Sequence, residues 1–283
     1  MNSSHDLDQA IDRWFIEDIR EGDHTTLGTI PHEATGSAVL LAKQDGIIAG
    51  VEVAGRIFRR FDREMQVTVF ITDGQHVTVG DEVFRVSGRV HSILQCERLV
   101  LNVMQRMSGI ATSTREYVRQ VEGTGARILD TRKTTPGFRI LEKEAVRIGG
   151  GMNHRHGLFD MILIKDNHID FAGGIEEAIL RTSGYLKEQG LNLQIEVEVR
   201  NLDDIEKVLK TGGVDCILLD NFSIAMTLEA VKRIRGRFKT ESSGGITRGT
   251  IRDYAECGVD FISVGALTHQ VYSLDLSLKA NFK

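Results

Sequence analysis

Three runs between Asp130 and Ile169 concentrate side chains able to grip a small anion: Asp130-Thr131-Arg132-Lys133-Thr134-Thr135-Pro136-Gly137, Gly149-Gly150-Gly151-Met152-Asn153-His154-Arg155 and Leu163-Ile164-Lys165-Asp166-Asn167-His168. Guanidinium groups fork onto carboxylates and phosphates, lysine acts as a point charge, and glycine-rich loops expose amides that also bind anions. Arg132, Arg155 and Lys165 can therefore converge on one ligand if their strands are neighbours, with His154 as a donor whose charge can switch. The cationic character is local. The whole chain carries 35 Lys and Arg against 40 Asp and Glu, whereas residues 130–168 hold seven and five. A general nucleic-acid binder carries a basic surplus, so no nucleic-acid partner is expected.

Two carboxylates stand apart from this run. Glu198 and Asp220 each end an apolar stretch, and hard oxygen ligands from two strands suit Mg²⁺, which borrows the rest of its shell from water and substrate phosphates. The alternative is that they pair with cations such as Lys133 or Lys165, and both can hold at once. Further on, Glu241-Ser242-Ser243-Gly244-Gly245 and Ser263-Val264-Gly265-Ala266-Leu267 close the last two strand-like runs. A phosphate site between two such loops is expected if the runs belong to a barrel.

Other chemistries lack their residues. There is no G-x-S-x-G, no H-E-x-x-H, no P-loop and no dinucleotide fingerprint. Cys96, Cys216 and Cys257 are far apart and form no C-x-x-C pair, so they read as buried thiols. The N-terminus, with Asp6, Asp8, Asp12 and Glu17, does not read as a signal peptide. Lys43, Gln44 and Asp45 interrupt Val39 to Val53 well short of the ~20 apolar residues a membrane span needs. A cytoplasmic protein with no membrane partner is expected.

These residues need elements to hold them. Leu7, Ile11, Trp14, Phe15 and Ile19 recur at helical spacing, which predicts an amphipathic helix over residues 7–20. Strand-like runs follow at Ala38 to Ala42, Gly46 to Ala49, Gln66 to Thr72 and Glu82 to Ser87, with turns at Gly74 and Gly80. A helical stretch from His91 to Val121 then gives way to a second rhythm. Apolar runs at Arg127 to Leu129, Met161 to Ile164, Leu193 to Val199, Cys216 to Leu219, Phe238 to Thr240 and Phe261 to Val264 alternate with amphipathic helices, which predicts parallel βα units. Nearly every run ends on a polar residue. An open sheet needs such residues only beside its switch point, whereas a barrel gathers all its strand ends at one mouth. On Leu193 to Val199 the carboxylates of Glu196 and Glu198 share one face, predicted to point into the barrel. The expected fold class is α/β: an N-terminal α+β sandwich domain over residues 1–105, then an incomplete parallel α/β barrel over 106–269. A tail from about residue 270 to 283 packs on the first domain.

The motifs taken together resemble those of the quinolinate phosphoribosyltransferase family. The matching stretches are those from Asp130, Gly149 and Leu163, with Glu196-Val197-Glu198, Leu218-Leu219-Asp220-Asn221-Phe222, Glu241-Ser242-Ser243-Gly244-Gly245 and Val264-Gly265-Ala266-Leu267-Thr268-His269. Gly22-Asp23-His24-Thr25-Thr26 and Glu97-Arg98 extend the match into the first domain. Departures are slight: Phe138 stands where the family often has leucine, and His156 lies at a variable position. The resemblance implies a reaction of quinolinate with phosphoribosyl pyrophosphate (PRPP) and Mg²⁺, giving nicotinate mononucleotide, CO₂ and pyrophosphate in NAD biosynthesis. It also implies a homodimer, open to higher assembly, in which Arg98 enters the partner's site. Arg132, His154, Arg155 and Lys165 would hold the quinolinate carboxylates. Lys133, Glu198 and Asp220 would engage PRPP, with Glu198 and Asp220 on the metal, Ser243, Gly244, Gly245, Gly265, Ala266 and Leu267 would bind its 5′-phosphate, and Thr131 belongs to the substrate-binding set. Lys133, Lys165, Glu198 and Asp220 are the expected catalytic set. The rival readings are a phosphoribosyltransferase with another acceptor, of nicotinate or molybdate-associated type, and a non-catalytic barrel binding a phosphorylated metabolite.

Overall fold

Helices α1 (Ser3–Asp18) and α2 (His24–Thr29) lead into strands β1 (Thr35–Ala42) and β2 (Gly46–Ile47), helix α3 (Val51–Phe61) and strands β3 (Gln66–Val69), β4 (His76–Val77) and β5 (Glu82–Arg89). The long α4 (Val90–Gln120) follows, then β6 (Arg127–Leu129), α5 (Arg139–Ile148), β7 (Ile162–Ile164), α6 (Asp166–Ala172), α7 (Ile175–Gln189), β8 (Ile195–Val199) and α8 (Leu202–Thr211). The chain continues through β9 (Cys216–Asp220), α9 (Ile224–Ile234), β10 (Lys239–Ser243), α10 (Ile251–Glu256), β11 (Phe261–Ser263) and α11 (Ala266–His269) to β12 (Leu276–Ala280). This computed structural model describes residues 3–280, so the start of the expected first domain, residues 1–2, and the end of the expected tail, residues 281–283, lie outside the described residues.

The chain divides into two units that interleave along the sequence. One comprises Met1–Arg115, Thr134–Gly150 and Leu267–Lys283, the other Glu116–Lys133 and Gly151–Ala266. In the first unit an antiparallel sheet runs in the order β12-β1-β5-β3, with the C-terminal strand paired to β1 from Leu276 opposite Ala42 to Ala280 opposite Ala38. Helix α1 is held to α3 by Asp8 and Asp12, which accept from Arg56 Nε at 2.7 Å and Arg60 Nε at 2.8 Å. The segment Thr134–Gly150 belongs here because buried Glu142 ties it down. One Glu142 oxygen accepts from Arg106 Nη2 at 2.8 Å, and the other from the Thr135 N–H at 3.0 Å. Gly149 then passes so close to Ala111 and Thr114 that no Cβ would fit.

Helix α3 lies between two expected strand runs, in residues to which the sequence analysis assigns no element. Its start is built from a distance: Gly50 turns the chain at φ +96, and the first N–H of the helix, at Val51, donates to Asp73 Oδ1 at 2.9 Å. A carboxylate 22 residues downstream thus takes the capping role that a neighbouring Ser or Asp usually plays.

The second unit contains a parallel sheet in the order β6-β11-β10-β9-β8-β7, flanked by helices. Its terminal strands β6 and β7 are not paired with each other, so the barrel is open, as expected of an incomplete one. Val197, Val199, Ile217 and Leu219 are fully buried, while the alternate face of β8 carries Glu196 and Glu198. Period-two alternation here separates an apolar face from a charged interior. Among the described residues no helix is long and apolar enough to cross a membrane.

Candidate active site

Strand register brings the polar strand ends to a common rim. Ile164 pairs with Val197, so Lys165 and Glu198 leave adjacent strands at one level. Asp220 pairs with Ser243. The Ser263 hydroxyl donates to that of Ser243 at 3.0 Å, and Ser263 pairs with Leu129, the residue before Asp130. The free side of β6 is extended by a bridge from Leu129 to Met152, which delivers Asn153, His154 and Arg155 to the same rim. This is the end of a parallel barrel at which chemistry is ordinarily housed.

Two electrostatic pairs stand on it. The Glu198 carboxyl is held above the usual range by burial and then by the charge of Asp220, while Lys165 opposes both and the Asp166 backbone N–H donates to it. The Arg155 guanidinium is pushed down by burial and then by the neighbouring Arg132, with Glu196 and Asp160 opposing. Arg155 Nη1 donates to the Met161 carbonyl at 3.3 Å. Among the described residues, Arg132 Nε is buried without a hydrogen-bond partner. Two guanidinium groups forced together, one with an orphaned donor, define a place where an anion relieves both the repulsion and the unmet bond.

The remaining expected residues fall as follows. Lys133 is exposed, and its backbone N–H donates to Thr131 Oγ1 at 3.0 Å. Asp220, half-buried, accepts from Asn221 Nδ2 at 2.8 Å. Gly244 has φ +97 and a Cβ there would collide with Asn221, so the glycine is required by packing; Gly245, at φ +61, faces open space. Gly265 and Ala266 are half-buried after β11, whereas the Leu267 side chain is fully buried and can offer a ligand only its backbone. Arg98 is exposed on α4 in the first unit, where it lines a cavity of about 320 Å³ with Trp14, Glu17, Asp18 and Phe138.

Below the rim lies a layer in which the sequence analysis assigns a role only to His154. Asp130, with no exposed surface, accepts from Asn153 Nδ2 at 2.6 Å and from the His154 backbone N–H at 2.9 Å. His154 Nδ1 accepts the Arg155 backbone N–H at 2.7 Å, and His154 Nε2 lies 2.9 Å from Glu196 Oε2 and 3.7 Å from Glu241 Oε2. Both ring nitrogens are thus engaged within the protein. Glu196 and Glu241 are nearly inaccessible, and burial, then the charge of Glu196, pushes the Glu241 carboxyl well above its ordinary range. The signal for this layer was visible as Glu196 on the inward face and Glu241 at a strand end, but the Asp130 to Asn153 contact joins loops 23 residues apart.

Two sets of residues have the donors for a metal. Glu198 and Asp220 offer oxygen atoms at the accessible rim, and His154, Glu196 and Glu241 have ligand atoms within 4.8 Å of one another in the interior. In the inner set, His154 Nε2 lies 2.9 Å from Glu196 Oε2, and burial together with the charge of Glu196 pushes the Glu241 carboxyl up.

Comparison with known proteins agrees across the chain. Residues 23–108 match the family model for the quinolinate phosphoribosyl transferase N-terminal domain, and residues 110–279 that for its C-terminal domain. The chain is 44% identical over 291 residues to the chloroplastic nicotinate-nucleotide pyrophosphorylase (carboxylating) of Arabidopsis thaliana, covering 98% of this chain and 83% of that protein. It is 41% identical over 276 residues to the probable nicotinate-nucleotide pyrophosphorylase (carboxylating) of Synechocystis, covering 96% of this chain and 92% of that one. The crystal structure of NadC from Streptococcus pyogenes matches with a TM-score of 0.92 at 38% identity, over 98% of this chain and 97% of that one. The nicotinate-nucleotide pyrophosphorylase from Francisella tularensis gives 0.90 at 37% identity, over 99% and 98%. Both domain models match in chain order, and the relatives align over nearly the full length: the chain belongs to the quinolinate phosphoribosyl transferase family.

Proposed function

We propose that this protein transfers the phosphoribosyl group of PRPP to quinolinate and releases CO₂, giving nicotinate mononucleotide and pyrophosphate. The observation that carries the reading is the pairing of Arg155 with Arg132, whose Nε lacks a partner, on the same rim as the carboxylates Glu198 and Asp220. A dianionic acceptor matches the first pair, and an oxocarbenium-like ribose centre matches the second.

In this mechanism Arg132, Arg155 and Lys165 bind the quinolinate carboxylates and aim the ring nitrogen at the anomeric carbon. Positioning of that kind removes much of the barrier to a bimolecular displacement. The C–O bond to pyrophosphate breaks as the N–C bond forms, and the leaving group departs with the electron pair. Glu198 and Asp220 face the positive charge that develops on the ribose, and Lys133 offsets charge on the departing oxygen. Ser243, Gly245 and Gly265 hold the 5′-phosphate. Decarboxylation follows from the product's own electronics: the ring nitrogen is now cationic, so the pair left on the adjacent carbon as CO₂ departs is stabilised until a proton arrives.

Glu198 and Asp220 suit Mg²⁺ by donor type, two hard carboxylates on adjacent strands, of which Glu198 is raised first by burial and then by the charge of Asp220. When bound, Mg²⁺ neutralises charge on the diphosphate of PRPP. The reading includes a homodimer in which Arg98, exposed on α4, serves the partner's site. The test is product formation by the purified protein with PRPP, Mg²⁺ and either quinolinate or nicotinate. Nucleotide from quinolinate supports the reading; nucleotide from nicotinate alone replaces it with the rival acceptor.

A further inference from the structure

We infer that Asn221 is a positioning residue for PRPP: it holds the Asp220 carboxylate and fixes its spacing from the loop Ser243-Gly244-Gly245. The kinetic consequence rests on the proposed reaction, in which Asp220 faces the ribose and that loop holds the 5′-phosphate of the same molecule. The geometry stands independently of it.

Asn221 leaves the end of β9 in a left-handed turn, at φ +54, a conformation that asparagine tolerates better than most residues with a Cβ. The turn is pinned on both sides. The Asn221 backbone N–H donates to the Ser243 carbonyl at 2.9 Å, and the carbonyl of the buried Phe222 accepts from the Tyr254 hydroxyl at 2.9 Å. Turned this way, the side chain folds back on its neighbour, and Nδ2 donates to Asp220 Oδ2 at 2.8 Å. Charge orients the amide, because its oxygen would repel the carboxylate. That oxygen lies instead against Gly244, itself at φ +97, where any Cβ would collide with Asn221 Oδ1 and Cγ.

One amide thus meets two strand ends that are already in register, Asp220 opposite Ser243. Its nitrogen holds the carboxylate that faces the ribose, and its other side packs on the phosphate loop. PRPP spans both groups through a single ribose, so a fixed spacing between them reduces the ordering that binding must otherwise impose. With Oδ2 engaged by Asn221, Oδ1 of Asp220 is left to turn toward a cation or a ribose hydroxyl. The backbone conformation alone does not account for asparagine here. Glycine adopts a left-handed turn without steric cost, and only the amide supplies the bond to Asp220.

The inference is tested with the full-length protein and the variants Asn221→Gly and Asn221→Asp. Asn221→Gly keeps the turn and removes the amide. Losing one bond to a charged acceptor predicts a rise of about tenfold in KM for PRPP, with KM for quinolinate within about twofold of wild type and an almost unchanged melting temperature. Asn221→Asp keeps the shape and the left-handed turn but sets a second negative charge beside Asp220, so its KM for PRPP is expected to rise at least as far. A wild-type KM for PRPP in either variant, or equal rises for both substrates in Asn221→Gly, overturns the inference. Crystal structures of the wild-type protein and of Asn221→Gly read the positioning without turnover. The Asp220 carboxylate is expected to leave its place in the variant, and an unmoved carboxylate overturns the inference. If the wild-type protein makes no nucleotide from quinolinate, the proposed reaction fails, and the two structures still decide whether Asn221 holds Asp220.

Discussion

The carboxyls of Glu198 and Asp220 end neighbouring strands, and the charge of Asp220 reinforces burial in holding Glu198 above the usual carboxylate range. Two like charges kept together are a cost that folding alone does not require, and a divalent cation removes it. Glu198→Gln and Asp220→Asn are each expected to lower kcat by roughly 10²-fold or more, the scale of losing one electrostatic group in an active site. Each also raises the Mg²⁺ concentration for half-maximal rate. Magnesium titrations of initial rate check this, and an unchanged Mg²⁺ dependence in both variants would take the pair out of the metal site.

Lys165 is exposed and follows β7 at the rim, where it opposes the burial of charge on Glu198. Its side chain supports no core packing, so Lys165→Ala is expected to leave the melting temperature nearly unchanged while cutting turnover by about 10²-fold. Turnover and thermal denaturation measured on one preparation separate the two effects. Near wild-type kcat would remove Lys165 from the reaction.

Arg155 and Arg132 are close enough for one to depress the other, and only a planar fork can meet a carboxylate with two parallel bonds. Arg155→Lys keeps the charge and loses the fork. The expected result is a rise of about tenfold in KM for quinolinate with little change in KM for PRPP. Equal rises in both constants would point to a general disturbance of the rim.

Much of this was legible in the chain itself, for definable reasons. The six parallel strands announce themselves as short apolar runs, and Lys165, Glu198, Asp220 and Ser243 mark their ends because a barrel puts polar residues there. The residues that escaped are those whose meaning depends on distant partners. Helix α3 was hidden because its cap is Asp73, beyond an intervening strand. Likewise Asp130 reads as one more polar strand end until its carboxylate is seen holding Asn153 and the His154 amide. Glu142, an ordinary helix residue by pattern, turns out to fasten Thr135 to Arg106.

Far from the rim, Asp260 joins the starts of β10 and β11. Burial pushes its carboxyl up, but Lys239 Nζ at 2.6 Å and the Thr240 N–H at 2.9 Å and hydroxyl at 3.1 Å outweigh that and leave it below the ordinary range. A depressed folded-state value means the stabilisation is present above the unfolded carboxylate pKa of about 3.9 and is lost as pH falls through the folded value. Asp260→Asn is therefore expected to cost roughly 1–2 kcal/mol near neutral pH, with the deficit shrinking in acid. Denaturant midpoints of both proteins from neutral pH downward check the sign. A deficit that grows in acid contradicts it.

Quinolinate carries two carboxylates and nicotinate one, so the cationic rim of Arg132, Arg155 and Lys165 is read most directly by following the carboxylate that must leave. With quinolinate labelled at the carboxylate next to the ring nitrogen, PRPP and Mg²⁺, the protein is expected to release labelled CO₂ in one-to-one proportion to nicotinate mononucleotide. Nucleotide without labelled CO₂, or no product under conditions in which the protein is folded, would contradict the assignment of this site.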